Sequence, residues 1–182
     1  MRAKAYRFRD SVTYQTFIER ETSERIFHIT RYEHYLSVMR DGCLRGGMNP
    51  ERNWSAPGFF VNCGCVCLLN NKKSYREGMP EADAELNSTK FPFSSMSFIY
   101  SHYGNRPVFL IVNDSVESEL ISWKSCKEQN RLSETVVPYY EAGYKGNLPM
   151  SKIVKVLLIR LPAPPKGGLA SLLAASRKRR NV

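Results

Sequence analysis

Apolar residues occur in short runs separated by polar and glycine- or proline-rich stretches, a pattern of short strands and short helices. Residues 14–20 mix apolar and charged groups at the spacing of a short helix. Residues 25–30 (RIFHIT) are rich in β-branched and aromatic side chains and predict a strand. Residues 33–40 predict a helix with Tyr35, Leu36, Val38 and Met39 as its apolar positions, closed by Asp41-Gly42. Residues 46–58 read as a loop, 59–69 as a strand interrupted at Gly64, and 70–90 as a polar surface excursion. Residues 106–112 (RPVFLIV) and 153–161 (IVKVLLIRL) are the clearest strands. Residues 134–140 predict one more, which Pro138 restricts to an edge or a terminus. Pro162, Pro164 and Pro165 stop the last strand, and no internal repeat is evident. The expectation is an α+β fold: one domain over residues 1–162, then a basic tail over 163–182, of which 166–182 are either loose or a short amphipathic helix across Leu169 to Arg180.

Composition and charge sharpen this picture. At 182 residues, 42% hydrophobic and 12% aromatic, the chain has enough apolar material for one core. No apolar run is long enough for a membrane-spanning helix, and the basic residues 1–10 lead into no apolar signal segment, so the cytoplasm is the default expectation. The net charge of +10 is unevenly placed: the last acidic residue is Glu141, and nine Lys and Arg follow it. That quarter, with Lys145, Lys152, Arg177, Lys178, Arg179 and Arg180, suits a polyanion such as nucleic acid, or is simply a solvated basic tail. Of five cysteines, Cys63, Cys65 and Cys67 alternate, so a strand would turn all three thiols to one side. Their spacing departs from that of structural zinc ligands and their neighbours are apolar, so buried reduced thiols and no metal are expected. The chain has neither a phosphate-binding G-x-x-x-x-G-K-[ST] loop nor a G-x-G-x-x-G after a strand.

The informative segment runs from Arg25 to Leu44. A strand ends in His28-Ile29-Thr30, and two residues two apart on a strand point to one side, so both can reach one ligand. A helix follows, and Val38-Met39-Arg40-Asp41-Gly42-Cys43-Leu44 closes it. This order resembles the opening motif of the ADP-ribosyltransferase fold in its histidine-bearing branch, which includes poly(ADP-ribose) polymerases and the DNA-modifying DarT toxins. In DarT an Asn-Leu pair stands at the helix start, where this chain has His34-Tyr35. Pro57 to Val61 resembles the Gly-Ile-Tyr-Phe strand that lines the NAD pocket of the polymerases. The resemblance covers residues 26–44, 57–61 and 131–156.

The resemblance implies an ADP-ribosyltransferase-like domain with a split antiparallel sheet and NAD as substrate. His28 and Thr30 would hold the adenosine-side ribose, with His34 near the nicotinamide side. Phe60, Tyr100 or Tyr103 would stack on nicotinamide, and Arg31 and Arg52 would meet the pyrophosphate. The fold's catalytic Glu heads a late strand. Glu134 is the first choice because Val136-Val137 follows it, whereas Ala142-Gly143 follows Glu141, the second choice. The resemblance to toxins implies mono-ADP-ribosylation of RNA or single-stranded DNA in toxin–antitoxin or phage-defence systems, with an antitoxin or chaperone protein as a further partner. A protein acceptor, NAD hydrolysis, and a non-catalytic nucleic-acid-binding module are the alternatives. Blander readings stay open as well: Thr30 as a helix cap, both glutamates as surface carboxylates, and Tyr139, Tyr140 and Tyr144 as core packing instead of base stacking.

Overall fold

The all-apolar run Pro107–Val112 is buried at every position, which is what a central strand covered on both faces requires. Around it the computed structural model describes residues 2–47, 58–77, 95–129 and 139–162. The strands are β1 (Arg2–Arg7), β2 (Ile26–Arg31), β3 (Cys43–Leu44), β4 (Cys65–Asn70), β5 (Pro107–Val112), β6 (Leu120–Ser122), β7 (Glu141–Lys145), β8 (Leu148–Pro149) and β9 (Ile153–Arg160). The α-helices are α1 (Ser11–Thr22), α2 (Tyr32–Asp41), α3 (Phe59–Asn62), α4 (Met96–Tyr103) and α5 (Lys124–Glu128). Seven strands form one sheet in the order β1-β9-β5-β2-β4-β7-β6, and β3 pairs with β8. Every pairing is antiparallel except β1 with β9. The fold is mixed α/β with a mostly antiparallel sheet, in line with the α+β expectation. Among the described residues, no helix is long and apolar enough to cross a membrane.

Strand alternation divides the core into two layers. Phe27, Ile29, Phe109, Ile111, Leu157 and Ile159 pack with Tyr14 and Ile18 of α1 and Ile99 of α4. Ile26, Val108, Leu110, Val112 and Val156 pack with Tyr35 and Val38 of α2. Full burial of one such side chain is worth roughly 1.5–3 kcal/mol, so this double layer supplies the main stabilisation of the sheet. The sheet is not equally joined throughout. β2 shares six residue pairs with β5, and β4 five with β7, but β2 and β4 share only two, Ile26 with Asn70 and Phe27 with Leu69.

Several sequence expectations are corrected. Residues 59–62 are helical, not strand, and β4 begins at Cys65. The cause is local packing: the Phe59 and Phe60 rings meet edge to face at 5.1 Å and bury with Cys65 in a small separate cluster. Cys63 therefore caps α3, and only Cys65 and Cys67 of the three alternating cysteines lie on the strand. β1 falls in a stretch whose sequence signal is only its charge; its parallel pairing with β9 joins segments far apart in sequence. Tyr139 and Tyr140 form a turn, residues 134–138 lie outside the described residues, and the strand here starts at Glu141. Gly143 argued against that strand, yet close packing requires it: a Cβ there would stand 2.3 Å from Phe60 Cδ1. Thr30 does not cap α2; Arg31 occupies the N-cap position without a side-chain cap bond.

Gly46 is under a tighter constraint, since a Cβ would meet the backbone oxygens of Gly146 at 2.2 Å and Gly64 at 2.7 Å. Gly143→Ala is expected to cost about 1–3 kcal/mol by overpacking, and Gly46→Ala at least as much because backbone cannot rotate away. Urea unfolding midpoints of the two variants check this ordering.

Candidate active site

The site lies where β2 and β4 part. Beyond Phe27 and Leu69 the two strands no longer share a ladder, so the β4 carbonyls facing the gap need other donors. Gly47 N–H donates to the Cys65 carbonyl at 3.1 Å. The His28 ring takes the next position, with Nδ1 2.8 Å from the Cys67 carbonyl oxygen. A carbonyl only accepts, so Nδ1 carries the hydrogen, which fixes the tautomer and the ring orientation. Alternation along β2 sets His28 and Thr30 on the face of Ile26, as the sequence spacing predicts. Thr30 is buried opposite Val108.

Cys67 also reaches the second candidate. Its thiol donates to Glu141 Oε1 at 3.3 Å, and burial, with the Glu141 carboxylate second, pushes the thiol well above its ordinary pKa. The thiol thus remains a donor and not a competing anion. Glu141 is the first residue of β7, opposite Leu69, and its backbone is held firmly. The Tyr75 hydroxyl donates to the Glu141 carbonyl at 2.6 Å and accepts from Trp123 N–H at 3.1 Å. The preceding turn places Tyr139 at a positive φ of 63° against the Trp123 ring, with ring centres 4.5 Å apart. Burial raises both Tyr75 and Tyr103 to about 12, and the nearby Glu141 carboxylate adds to each rise. Tyr103, at the end of α4, therefore shares an electrostatic environment with Glu141, Cys67 and Arg31.

The remaining candidates divide clearly. Arg31 donates through Nε and Nη2 to the His102 carbonyl, at 3.2 and 3.0 Å, and so holds the last turn of α4. Arg31, Tyr100 and Tyr103 line one cleft of about 230 Å³ with Glu33, Ser101, Gly104, Asn105 and Arg106. His34 sits half-buried in the first turn of α2. Phe60 is corrected: at 2% exposure beneath Gly143 it has no ring face to offer a ligand. Lys145 Nζ donates to the Cys63 carbonyl, and Lys152 pairs with Glu119 at 3.0 Å, so both expected nucleic-acid contacts are engaged within the chain. Arg52, Glu134, Arg177, Lys178, Arg179 and Arg180 lie outside the described residues.

Sequence reasoning missed two members of this arrangement. Cys67 read as one of three equivalent buried thiols, and Tyr75 fell in the polar excursion, where nothing marked it as a partner of Glu141. Chemically, the site combines an oriented imidazole, a carboxylate fixed at a strand head and a neighbouring cleft with two tyrosines. Comparison of the chain with protein-family models, curated proteins and solved structures finds no match.

Three outcomes are expected. His28→Leu leaves the Cys67 carbonyl without its donor and costs about 1–3 kcal/mol, read from urea unfolding. Glu141→Gln removes a negative charge beside Tyr75 and Tyr103 and lowers the pH at which they ionise, read by ultraviolet difference titration. Because both tyrosines are raised to about 12 from the ordinary 10, the stability they contribute is complete below about pH 10 and is lost as pH rises through about 12. A urea midpoint that stays level across that window would contradict the assignment.

Proposed function

We propose that this chain is a mono-ADP-ribosyltransferase that moves ADP-ribose from NAD to a nucleic acid. The observation that carries the reading is the convergence of His28 and Glu141 on Cys67, one through its carbonyl and the other through its thiol. These two residue types were singled out from separate stretches of sequence, and both bond Cys67 beside the short β2–β4 ladder, His28 from the face of Ile26 and Glu141 from the face of Leu69. In this reading Glu141, and not Glu134, takes the catalytic place. It heads a late strand, β7, as the resemblance to the transferase fold requires of its glutamate.

The chemistry follows from the bond that breaks. Cleavage of the nicotinamide–ribose C–N bond leaves its electron pair on nicotinamide and positive charge on the ribose, an oxocarbenium-like state. A carboxylate hydrogen-bonded to a ribose hydroxyl stabilises that charge, most effectively where water is excluded. Glu141 fills this role, and the Cys67 thiol and the Tyr75 hydroxyl keep it in place. His28 orients the distal ribose, with Thr30 buried on the same face of β2. Tyr103 or Tyr100 packs on the nicotinamide ring. A nitrogen or oxygen of the acceptor then bonds to the ribose carbon and releases its proton. The cleft beside the tyrosines, at about 230 Å³, is below the usual size of a whole ligand pocket and suits one end of a dinucleotide.

Incubation with labelled NAD and RNA, single-stranded DNA or lysate tests the reading. Label is expected in a nuclease-sensitive product, and Glu141→Gln should lower turnover by about a hundredfold or more. Protease-sensitive label would move the acceptor to protein, and free ADP-ribose would indicate hydrolysis. Absence of NAD cleavage, or full activity in Glu141→Gln, would sink the proposal.

A further inference from the structure

A second cleft, of about 430 Å³, lies beside the first and is lined by Arg7, Arg9 and Arg160 with Phe8, Asn105, Leu161 and Pro162. Three segments distant in sequence are tied together there. Phe8 N–H donates to the Arg160 carbonyl at 3.1 Å, and Leu161 N–H donates to the Asn105 carbonyl at 2.9 Å. Arg7 and Arg160 are register partners across the parallel β1–β9 pair, so two positive side chains stand on the same face of adjacent strands. Like charges at facing positions repel. Among the described residues, no carboxylate pairs with Arg7, Arg9 or Arg160. The nearest in sequence, Asp10, is turned into α1, where it accepts from the Thr13 backbone N–H at 2.8 Å and hydroxyl at 2.9 Å. Three arginines thus line one cavity with no carboxylate among the described residues paired to them, and an anion would relieve their repulsion.

We propose that this cleft binds the phosphodiester backbone of a single nucleic-acid strand and leads it to the candidate active site. Extent favours a strand over a lone phosphate. Asn105 lines both clefts, and the first carries Arg106, whose guanidinium lies 3.6 Å over the Tyr32 ring, together with Tyr100 and Tyr103. Arginines that follow a backbone, interleaved with aromatic rings, are the general form of a single-strand site. Arg forks match phosphate oxygens in pairs. In the sequence Pro162 is followed by residues 163–182, whose charged groups are all basic and add to the positive charge available to a polyanion. The inference rests on the nucleic-acid half of the proposed function and is independent of NAD cleavage.

The test is binding of a fluorescent single-stranded oligonucleotide to the full chain, by anisotropy over a salt series, for wild type, Arg7→Gln/Arg160→Gln and Arg9→Gln. The double variant should bind severalfold more weakly, and its log K against log salt slope should be shallower by about 0.7 for each phosphate that is no longer neutralised. Arg9 lies outside the β-ladder, so Arg9→Gln gives the same reading with the fold intact if the double variant unfolds. Unchanged affinity and slope in Arg9→Gln would overturn the assignment. So would inorganic phosphate competing as well as an equal concentration of strand phosphate, which would mark a small-anion site. NAD cleavage measured on the same samples separates the two readings: cleavage without oligonucleotide binding removes this one, and binding without cleavage removes the transferase.

Discussion

The junction between β2 and β4 governs the rest of the molecule. Two residue pairs, Ile26 with Asn70 and Phe27 with Leu69, join a four-strand block to a three-strand block. So short a ladder leaves backbone groups of β4 facing a gap, and buried backbone carbonyls without donors cost about 1–3 kcal/mol each. The fold meets that cost with Gly47 N–H at Cys65 and the His28 ring at Cys67. A side chain in the place of a strand lets the sheet open without an orphaned carbonyl. The imidazole that seals the gap is also one with a fixed tautomer and orientation, which is what a binding residue needs.

The second consequence of the junction is the setting of Glu141. A carboxylate at a strand head ordinarily turns to water. Here the half-buried Cys67 residue, its thiol kept protonated by its surroundings, donates to it, and Tyr75 locks its carbonyl from 66 positions earlier. The cramped glycines serve the same end: Gly143 lets Phe60 press against β7, and Gly46 brings the loop after β3 onto the backbone of Gly64 and Gly146. These close approaches leave little freedom for β7 to slide against β4, so Glu141 keeps its place opposite Leu69.

Charge follows the same logic of distant segments brought together. Along the chain the excess positive charge belongs to the C-terminal quarter, while the first 141 residues are nearly neutral. Folding redistributes it. Lys145 and Lys152 are taken up by a carbonyl and a carboxylate. Arg7 and Arg9, from a region whose charges nearly balance, join Arg160 around one cavity. Charge counted along a sequence therefore marks the sign of a partner better than the surface it uses.

Elements whose signal is local could be read from the amino-acid order alone. The β2 strand, the α2 helix with its Gly42 terminus, β5 and β9 were legible because burial on one or two faces writes itself into consecutive residues. His28 and Thr30 on one face followed from strand geometry alone. Tertiary structure decided what depends on contacts between remote positions. β1 has meaning only beside β9; Gly143 belongs in a strand only because Phe60 needs its space; and residues 59–62 turn helical to bury two adjacent rings. The candidate site is of this second kind. Its residues could be named one by one, but the shared partner Cys67 and the lock at Tyr75 arise from strand register and loop packing, which no local pattern encodes.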